Sequence, residues 1–271
     1  MLAFKKHLPF LIAFVTLASA FSLSAAETTD QSADKTGTNP INFQRDIRLY
    51  NEYSWLNTSG DGNQNLTTVE FKTPFLDGKW QWRVRSQYNA KTADLNDDGR
   101  DEIDESGVGD TDMRFLTVPY IDMPNKQAFA IGLELFLNTA SEDALGSGTT
   151  SLGPQVFYVK FLPTGLFAPG LQYKFSIDED SGRSDTDQVL IDLNYLRMAK
   201  DKQSWFFTDP QIVIDNENNV EFSIVDLEFG WMMTNWTELK GHSVYIRPSF
   251  GVGTDRPVDG SVELGYKIVG W

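Results

Sequence analysis

Apolar and polar side chains alternate with a period of two from residue 41 to the end of the chain, and turn-forming residues interrupt the alternation at regular intervals. In the segment Ala128–Leu137, for example, every odd position is large and apolar, whereas the even positions are mostly small or polar. This period predicts β-strands with one apolar and one polar face, because successive side chains of a strand point to opposite sides. No segment shows the 3.6-residue period of an amphipathic helix.

Strands of about ten residues with a continuous apolar face are typical of transmembrane β-barrels, where one face meets lipid and the other meets water. A soluble β-sandwich also alternates and is the alternative, but it gives no reason for Trp and Tyr to recur near strand ends. We therefore predict an all-β fold, a transmembrane antiparallel β-barrel of about 12 strands. The predicted strands cover residues 46–57, 65–75, 79–91, 110–121, 126–138, 151–162, 166–177, 186–198, 204–214, 220–233, 243–253 and 259–271.

The connections between these strands differ in charge. Every second connection is a short turn of nearly neutral sequence, whereas the other six carry almost all of the negative charge. Single-chain outer-membrane barrels have an even number of strands, short periplasmic turns and longer extracellular loops. The pattern thus predicts that both termini are periplasmic and that the acidic loops lie outside the cell.

The N-terminus carries the features of a targeting signal. Two lysines precede a short apolar run, and small residues follow it. This order predicts a secretory signal peptide over residues 1–26, with cleavage after Ala26 and with Ala20 as the second choice. An uncleaved membrane anchor is the alternative, but the run is shorter than the ~20 residues that a spanning helix needs. Residues 27–40 are predicted to be a flexible N-terminal arm, and residues 41–271 to be the barrel.

The net charge of −15 and the absence of cysteine exclude several functions. A strongly acidic chain cannot easily hold a polyanion, so nucleic acid is not an expected partner. Without cysteine there is no disulfide, thiolate zinc ligand, thiol nucleophile or lipidated N-terminal cysteine. The two histidines are His7, in the predicted signal peptide, and His242, in a predicted turn, so the strands offer no histidine base for hydrolysis. We predict that the protein is not an enzyme.

The longest predicted loop carries a calcium-loop pattern. Residues 94–105 match the spacing D-x-[DN]-x-[DN]-G-x5-E, in which alternate side chains of a turning loop converge on a hard cation. The candidate ligands are the side chains of Asp94, Asn96, Asp98 and Glu105 and the backbone carbonyl of Arg100. A solvated acidic loop without metal is the alternative. Ca²⁺ is the one cofactor that the sequence suggests, and none is required.

Residues of about 105–175 resemble an outer-membrane barrel family named after the meta-pathway of phenol degradation (MetA-pathway). The resemblance rests on a G-x-G-D strand start and on a hairpin of the L-P-T-G…L-G-S-G type, represented here by Gly107-Val108-Gly109-Asp110, Leu137-Asn138-Thr139-Ala140 and Leu145-Gly146-Ser147-Gly148. Asn138 and Ala140 stand where the family has proline and glycine. The resemblance implies a small barrel that handles hydrophobic or aromatic compounds and has no catalytic residues.

The inward parity of the strands predicts a lumen lined by nearly balanced charges, with most of the basic residues on the first four strands. The candidate lumen residues are Arg48, Lys72, Arg83, Arg85, Arg114, Glu134, Asp192, Asp226, Glu228 and Arg247. Opposite charges in a narrow barrel can form a polarised constriction for small solutes, or they can pair and close the interior. The sequence leaves both alternatives open.

We predict an outer-membrane channel for passive uptake of small molecules, hydrophobic or aromatic compounds among them, in a Gram-negative bacterium. The alternative is a non-conducting structural or surface-interaction barrel whose acidic loops bind divalent cations and through them the phosphates of lipopolysaccharide. The expected partners are outer-membrane lipid and lipopolysaccharide, small-molecule solutes and the outer-membrane insertion machinery. The terminal aromatic residue Trp271 resembles the signal that this machinery reads, although its parity is opposite to that of Tyr266 and Ile268.

Overall fold

The computed structural model describes residues 36–233 and 241–270. The predicted signal peptide, residues 27–35 of the predicted arm, most of the last turn and Trp271 lie outside the described residues. Within them, no helix is long and apolar enough to cross a membrane. The strands are β1 (Asp46–Leu56), β2 (Gly62–Phe75), β3 (Trp80–Ala93), β4 (Ile103–Val108), β5 (Thr111–Asp122), β6 (Gln127–Leu137), β7 (Thr149–Leu162), β8 (Gly165–Glu179), β9 (Asp187–Met198), β10 (Ser204–Asp215), β11 (Val220–Met232), β12 (His242–Val252) and β13 (Val258–Val269).

The strands form a closed antiparallel barrel. Except for β4 and β5, which do not pair with each other, each strand pairs with its neighbours in the chain, and β1 pairs with both β2 and β13, which closes the sheet. The segments β4 and β5 both pair with β3 and are parts of one barrel strand, interrupted at Gly109 and Asp110. The barrel therefore has 12 strands, and the predicted fold class is confirmed.

One predicted loop is shorter than the sequence indicated. The sequence predicts a loop over residues 92–109, but residues 103–108 form β4 and extend the pairing with β3. In this extension Glu105 pairs with Lys91 of β3, so that a basic residue lies opposite an acidic one. The acidic residues made this stretch look like a loop, because the basic residue opposite Glu105 lies on another strand and is not apparent from the local sequence.

The two faces of the barrel follow the predicted parity. On β13, Leu264 is 59% exposed on the outer face, whereas Glu263 beside it is 4% exposed and faces the interior. Aromatic side chains on the outer face lie near both ends of the barrel, for example Trp55 beside a loop and Phe75 beside a turn. Such belts lie at the two interfaces of a membrane.

The interior is filled by apolar side chains at the end where the short turns lie. Inward-facing residues of seven strands pack there as one cluster, namely Leu116, Ala128, Ala130, Phe157, Val159, Leu166, Ala168, Leu196, Trp205, Phe207 and Tyr245. Ile41, which precedes the first strand and is 1% exposed, packs into the same cluster. The turn end of the barrel therefore has a hydrophobic core.

Residues 36–45, here called the N-terminal segment, lie inside the barrel except for the exposed Arg45. Lys267 Nζ donates to the carbonyl of Thr36 at 3.1 Å, and Arg48 Nη2 and Lys72 Nζ donate to the carbonyl of Gly37 at 3.0 and 3.2 Å. Residues 36–40 belong to the predicted flexible arm, and in the structure they contact the barrel wall. The segment is held there because cationic side chains of the barrel wall donate hydrogen bonds to its backbone carbonyls.

Candidate transport site in the barrel lumen

The structure places all ten predicted lumen residues in the interior, where most form ion pairs. On β3, Arg83 pairs with Asp112 at 2.9 Å and also with Glu134, and Arg85 Nε donates to Asp112 at 2.7 Å. These contacts join three neighbouring barrel strands. Arg83 and Arg85 therefore lie on a wall where two carboxylates already balance them.

A second cluster lies where the sheet closes. Lys72 pairs with Glu70 at 2.9 Å and with Asp46 at 3.5 Å, and Arg48 approaches Glu70 at 3.6 Å. All four side chains are at most 10% exposed. Because Arg48 and Lys72 also hold the backbone of Gly37, this cluster links the wall to the N-terminal segment.

A third cluster surrounds Glu228, which is completely buried. This carboxylate accepts hydrogen bonds from Lys267 Nζ at 2.8 Å and from Trp205 Nε1 at 2.7 Å, and it also pairs with Arg247. Arg247 in turn pairs with Glu263 at 3.3 Å. A buried carboxylate is stable only with such compensation.

Several charged groups of the lumen lack this compensation, and four of them lie in its lower part. Arg114 has no ion-pair partner within 4.0 Å among residues 36–233 and 241–270, and neither have Asp192, Asp209 and Asp226. Asp209 accepts one hydrogen bond, from Gln211 at 3.0 Å, and its other oxygen is buried without a partner in the described part of the chain. We call Asp192, Asp209 and Asp226 the acidic wall. Asp209 was not among the predicted residues, although its parity with Phe207 on β10 would have indicated it.

Two cavities occupy the lumen. The lower cavity, nearer the turns, has a volume of about 340 Å³, and the N-terminal segment forms its floor. The upper cavity, nearer the loops, has a volume of about 430 Å³. Both fall in the range of small-molecule sites, roughly 300–1,000 Å³. They share a ring of lining residues and are therefore adjacent along the lumen: Tyr50, Arg85, Phe136, Gln211, Asp226 and Arg247.

Asp110 organises the mouth of the upper cavity. Its carboxylate accepts hydrogen bonds from the backbone N–H groups of Thr139 at 3.1 Å, Ala140 at 3.2 Å and Ser147 at 2.7 Å. The Ser147 hydroxyl donates to the same carboxylate at 2.9 Å. The motif residues of the sequence resemblance thus meet in space, and loop 138–148 is tied to the break between β4 and β5.

The structure brings together only part of the predicted calcium ligand set. Ligand oxygens of Asp94, Asp98 and Glu102 lie within 4.8 Å of one another. Asn96 contacts this group through its side-chain amide, which donates to Glu102 at 2.8 Å. The predicted twelfth-position ligand, Glu105, lies in β4 opposite Lys91, and Arg100 is exposed.

Hydrogen bonds favour the charged form of two carboxyls in this loop, those of Asp94 and Glu102. Burial opposes ionisation of Asp94, but N–H groups of Gly99, Asn96 and Asp98 donate to it and lower its pKa below the ordinary value. The pKa of Glu102 is lowered by hydrogen bonds from the Leu95 N–H and from the Asn96 side chain. The loop therefore presents ionised oxygens at neutral pH.

No protein-family description matches the chain, and no curated protein matches it in sequence. Solved structures do resemble it. The COG4313 outer membrane channel from Pseudomonas putida F1 superposes with a TM-score of 0.66 at 12% identity, over 84% of this chain and 96% of that one. The NanC porin gives 0.52 at 11% identity, over 83% and 98% of the two chains. The translocator domain of the autotransporter NalP from Neisseria meningitidis gives 0.51 at 11% identity, over 95% and 96%.

These likenesses define the class of fold. The chain is a 12-stranded β-barrel that resembles channels and porins of the Gram-negative outer membrane. An aromatic-belted barrel with an apolar outer face belongs in a lipid bilayer.

Proposed function

We propose that the protein is a passive outer-membrane channel for small molecules, with its termini and turns in the periplasm and its acidic loops outside the cell. The observation that carries the proposal is the pair of adjacent lumen cavities, which are lined by charged groups that the wall does not fully neutralise. A barrel with a purely structural role has no need for unpaired buried charges, because each one is costly. The fold is also that of outer-membrane channels.

The lining of the lower cavity favours solutes with both polar and apolar parts. Phe136, Phe157 and Phe207 line it together with the charged groups. Hydrophobic or aromatic compounds with a polar group are therefore a chemically reasonable cargo. The only histidine within the barrel, His242, contacts Tyr266 at the turn end rather than any lumen group, so we propose no enzymatic role.

Single-channel recording in planar bilayers tests the proposal. The mature protein should give discrete conductance steps in KCl, and the double variant Arg83→Ala/Arg85→Ala should shift ion selectivity toward cations, because it removes two positive charges from the lumen. Lys200→Gln, in a turn outside the lumen, is the matched control and should leave selectivity unchanged. An absence of steps from folded protein would overturn the channel.

A second candidate function is supported by one specific observation. The three carboxylates Asp94, Asp98 and Glu102 converge in the loop between β3 and β4, which favours a surface barrel that binds divalent cations and, through them, lipopolysaccharide phosphates. Ca²⁺ should then protect the loop from trypsin, which cleaves after Arg100. Asp98→Asn/Glu102→Gln should abolish the protection and Glu105→Gln should not. Equal cleavage with Ca²⁺ and with chelator would contradict the site.

A further inference from the structure

We propose that the lower cavity selects zwitterionic solutes with an apolar side chain, with the cationic group held at the acidic wall and the anionic group at Arg114. The inference rests on the proposed channel function and names the class of solute. It follows from the position of the unpaired charges, from their number and from the apolar surface between them.

The unpaired charges lie on opposite sides of the barrel. Arg114 is on β5, part of the fourth barrel strand, whereas Asp192, Asp209 and Asp226 are on β9, β10 and β11, the eighth to tenth strands. In a ring of 12 strands these positions are four to six strands apart, which is close to a diameter. All four residues line the lower cavity. A solute in this cavity therefore has a cation on one side and carboxylates on the other.

The groups on the two sides are available to a solute. The other arginines beside Arg114 are committed, since Arg83 and Arg85 both bind Asp112. On the far side, Arg247 is held by Glu228 and Glu263 rather than by Asp226. An ion that enters the cavity is poorly screened by water, so a complementary pair of charges on one molecule gains from both walls.

The third element is apolar surface in the same cavity. Phe157 on β7, Leu190 on β9 and Phe207 on β10 line it beside the charged groups. Burial of an apolar side chain against them supplies the non-directional part of the affinity. A free amino acid with a large apolar side chain combines all three features: an ammonium, a carboxylate and an apolar group.

Binding to the folded full-length mature protein in detergent, measured by isothermal titration calorimetry, tests the inference. The probes are phenylalanine, phenethylamine, which lacks the carboxylate, and 3-phenylpropanoate, which lacks the ammonium. Phenylalanine should bind about tenfold or more tightly than either, because each probe leaves one charged wall without a partner. If phenethylamine binds as tightly as phenylalanine, the cavity is a cation site and the inference fails. Equal binding of all three would show apolar partition alone and would also overturn it.

Variants test which charged group of the solute is bound by Arg114 and which by the acidic wall. Arg114→Gln should weaken phenylalanine binding about tenfold and leave phenethylamine binding unchanged. Asp192→Asn/Asp209→Asn should weaken phenylalanine binding and leave 3-phenylpropanoate binding unchanged. The exposed turn variants Lys200→Gln and Asp77→Asn are charge-matched controls. Loss of probe discrimination with intact conductance steps refutes only this inference, whereas discrimination without conductance refutes only the channel.

Discussion

Replacement of Glu228 by Gln should destabilise the barrel strongly. Glu228 is 0% exposed and contacts Lys267, Arg247 and Trp205. Gln has nearly the same shape and can still accept the hydrogen bond from Trp205, so the substitution removes the negative charge and little else. The two cations that contact Glu228, Arg247 and Lys267, lose different shares of their interactions.

The contacts that Arg247 and Lys267 retain determine how far the free energy of unfolding falls. Arg247 keeps its pair with Glu263 at 3.3 Å. Lys267, which is also 0% exposed, keeps among the described residues only the carbonyl of Thr36 and the rings of Trp205 and Tyr245, at 5.2 and 4.2 Å from its Nζ. Breaking a buried pair from one side costs about 3–5 kcal/mol. Because the ring contacts offset part of this by about 1 kcal/mol or more, we expect the free energy of unfolding to fall by about 3 kcal/mol.

Guanidinium unfolding of the barrel in lipid vesicles, followed by tryptophan fluorescence, measures the change. The double variant Glu228→Gln/Lys267→Met should recover at least half of the loss, since it removes the stranded ammonium. Asp259→Asn is the control: it breaks an ion pair with Arg256 at 2.7 Å, but at the solvent-exposed loop end of β13, where such a pair contributes about 1 kcal/mol or less.

Two results would refute this reasoning. One is a loss for Glu228→Gln no larger than that for Asp259→Asn. The other is a double variant that is less stable than Glu228→Gln alone. Either would mean that the buried charges are hydrated in the lumen rather than dependent on one another.

Three further predictions concern the two ends of the lumen. Ile41→Asp should release the N-terminal segment from the apolar core and raise single-channel conductance, because a carboxylate cannot stay in that core; unchanged conductance would show that the segment does not narrow the pore. Asp110→Ala should make the backbone amides of loop 138–148 exchange about tenfold faster or more, and no change would contradict its role in the loop. Asp94 and Glu102 have lowered pKa values in the folded loop, so its ordering should be complete above their usual pKa of about 4 and lost as the pH falls through the lowered values. Hydrogen exchange of this loop between about pH 6 and 3, corrected for intrinsic rates, measures the loss of ordering. Exchange protection that is independent of pH would contradict the prediction.

Much of the barrel could be predicted from the sequence because strand alternation is a local property. The period of two identified the strands to within a few residues and separated inward from outward side chains, as on β13 with Glu263 and Leu264. The alternation of acidic and neutral connections supported the strand count independently. On the same strand Lys267 is buried in the interior, whereas Tyr266 lies on the outer face.

The candidate site was less predictable because it depends on contacts between distant strands. Parity indicated that Arg83 and Arg114 face the lumen, but only the fold shows that Arg83 is bound by Asp112 and Glu134 while Arg114 has no ion-pair partner in the described residues. The spacing of the acidic loop suggested Glu105 as a metal ligand. In the structure Glu105 lies in β4 opposite Lys91, and Glu102 is the glutamate whose carboxylate lies near those of Asp94 and Asp98.

The sequence alone thus determined a 12-stranded barrel with an apolar outer face and a charged interior, because the direction of a side chain in a strand depends only on its position in the chain. Tertiary structure decided which of the interior charges neutralise one another and which remain free on opposite walls. It also decided that the N-terminal segment forms the floor of the lower cavity. These outcomes depend on closure of the sheet, which brings β1 beside β13 and sets residues more than a hundred positions apart within hydrogen-bonding distance, such as Thr36 and Lys267.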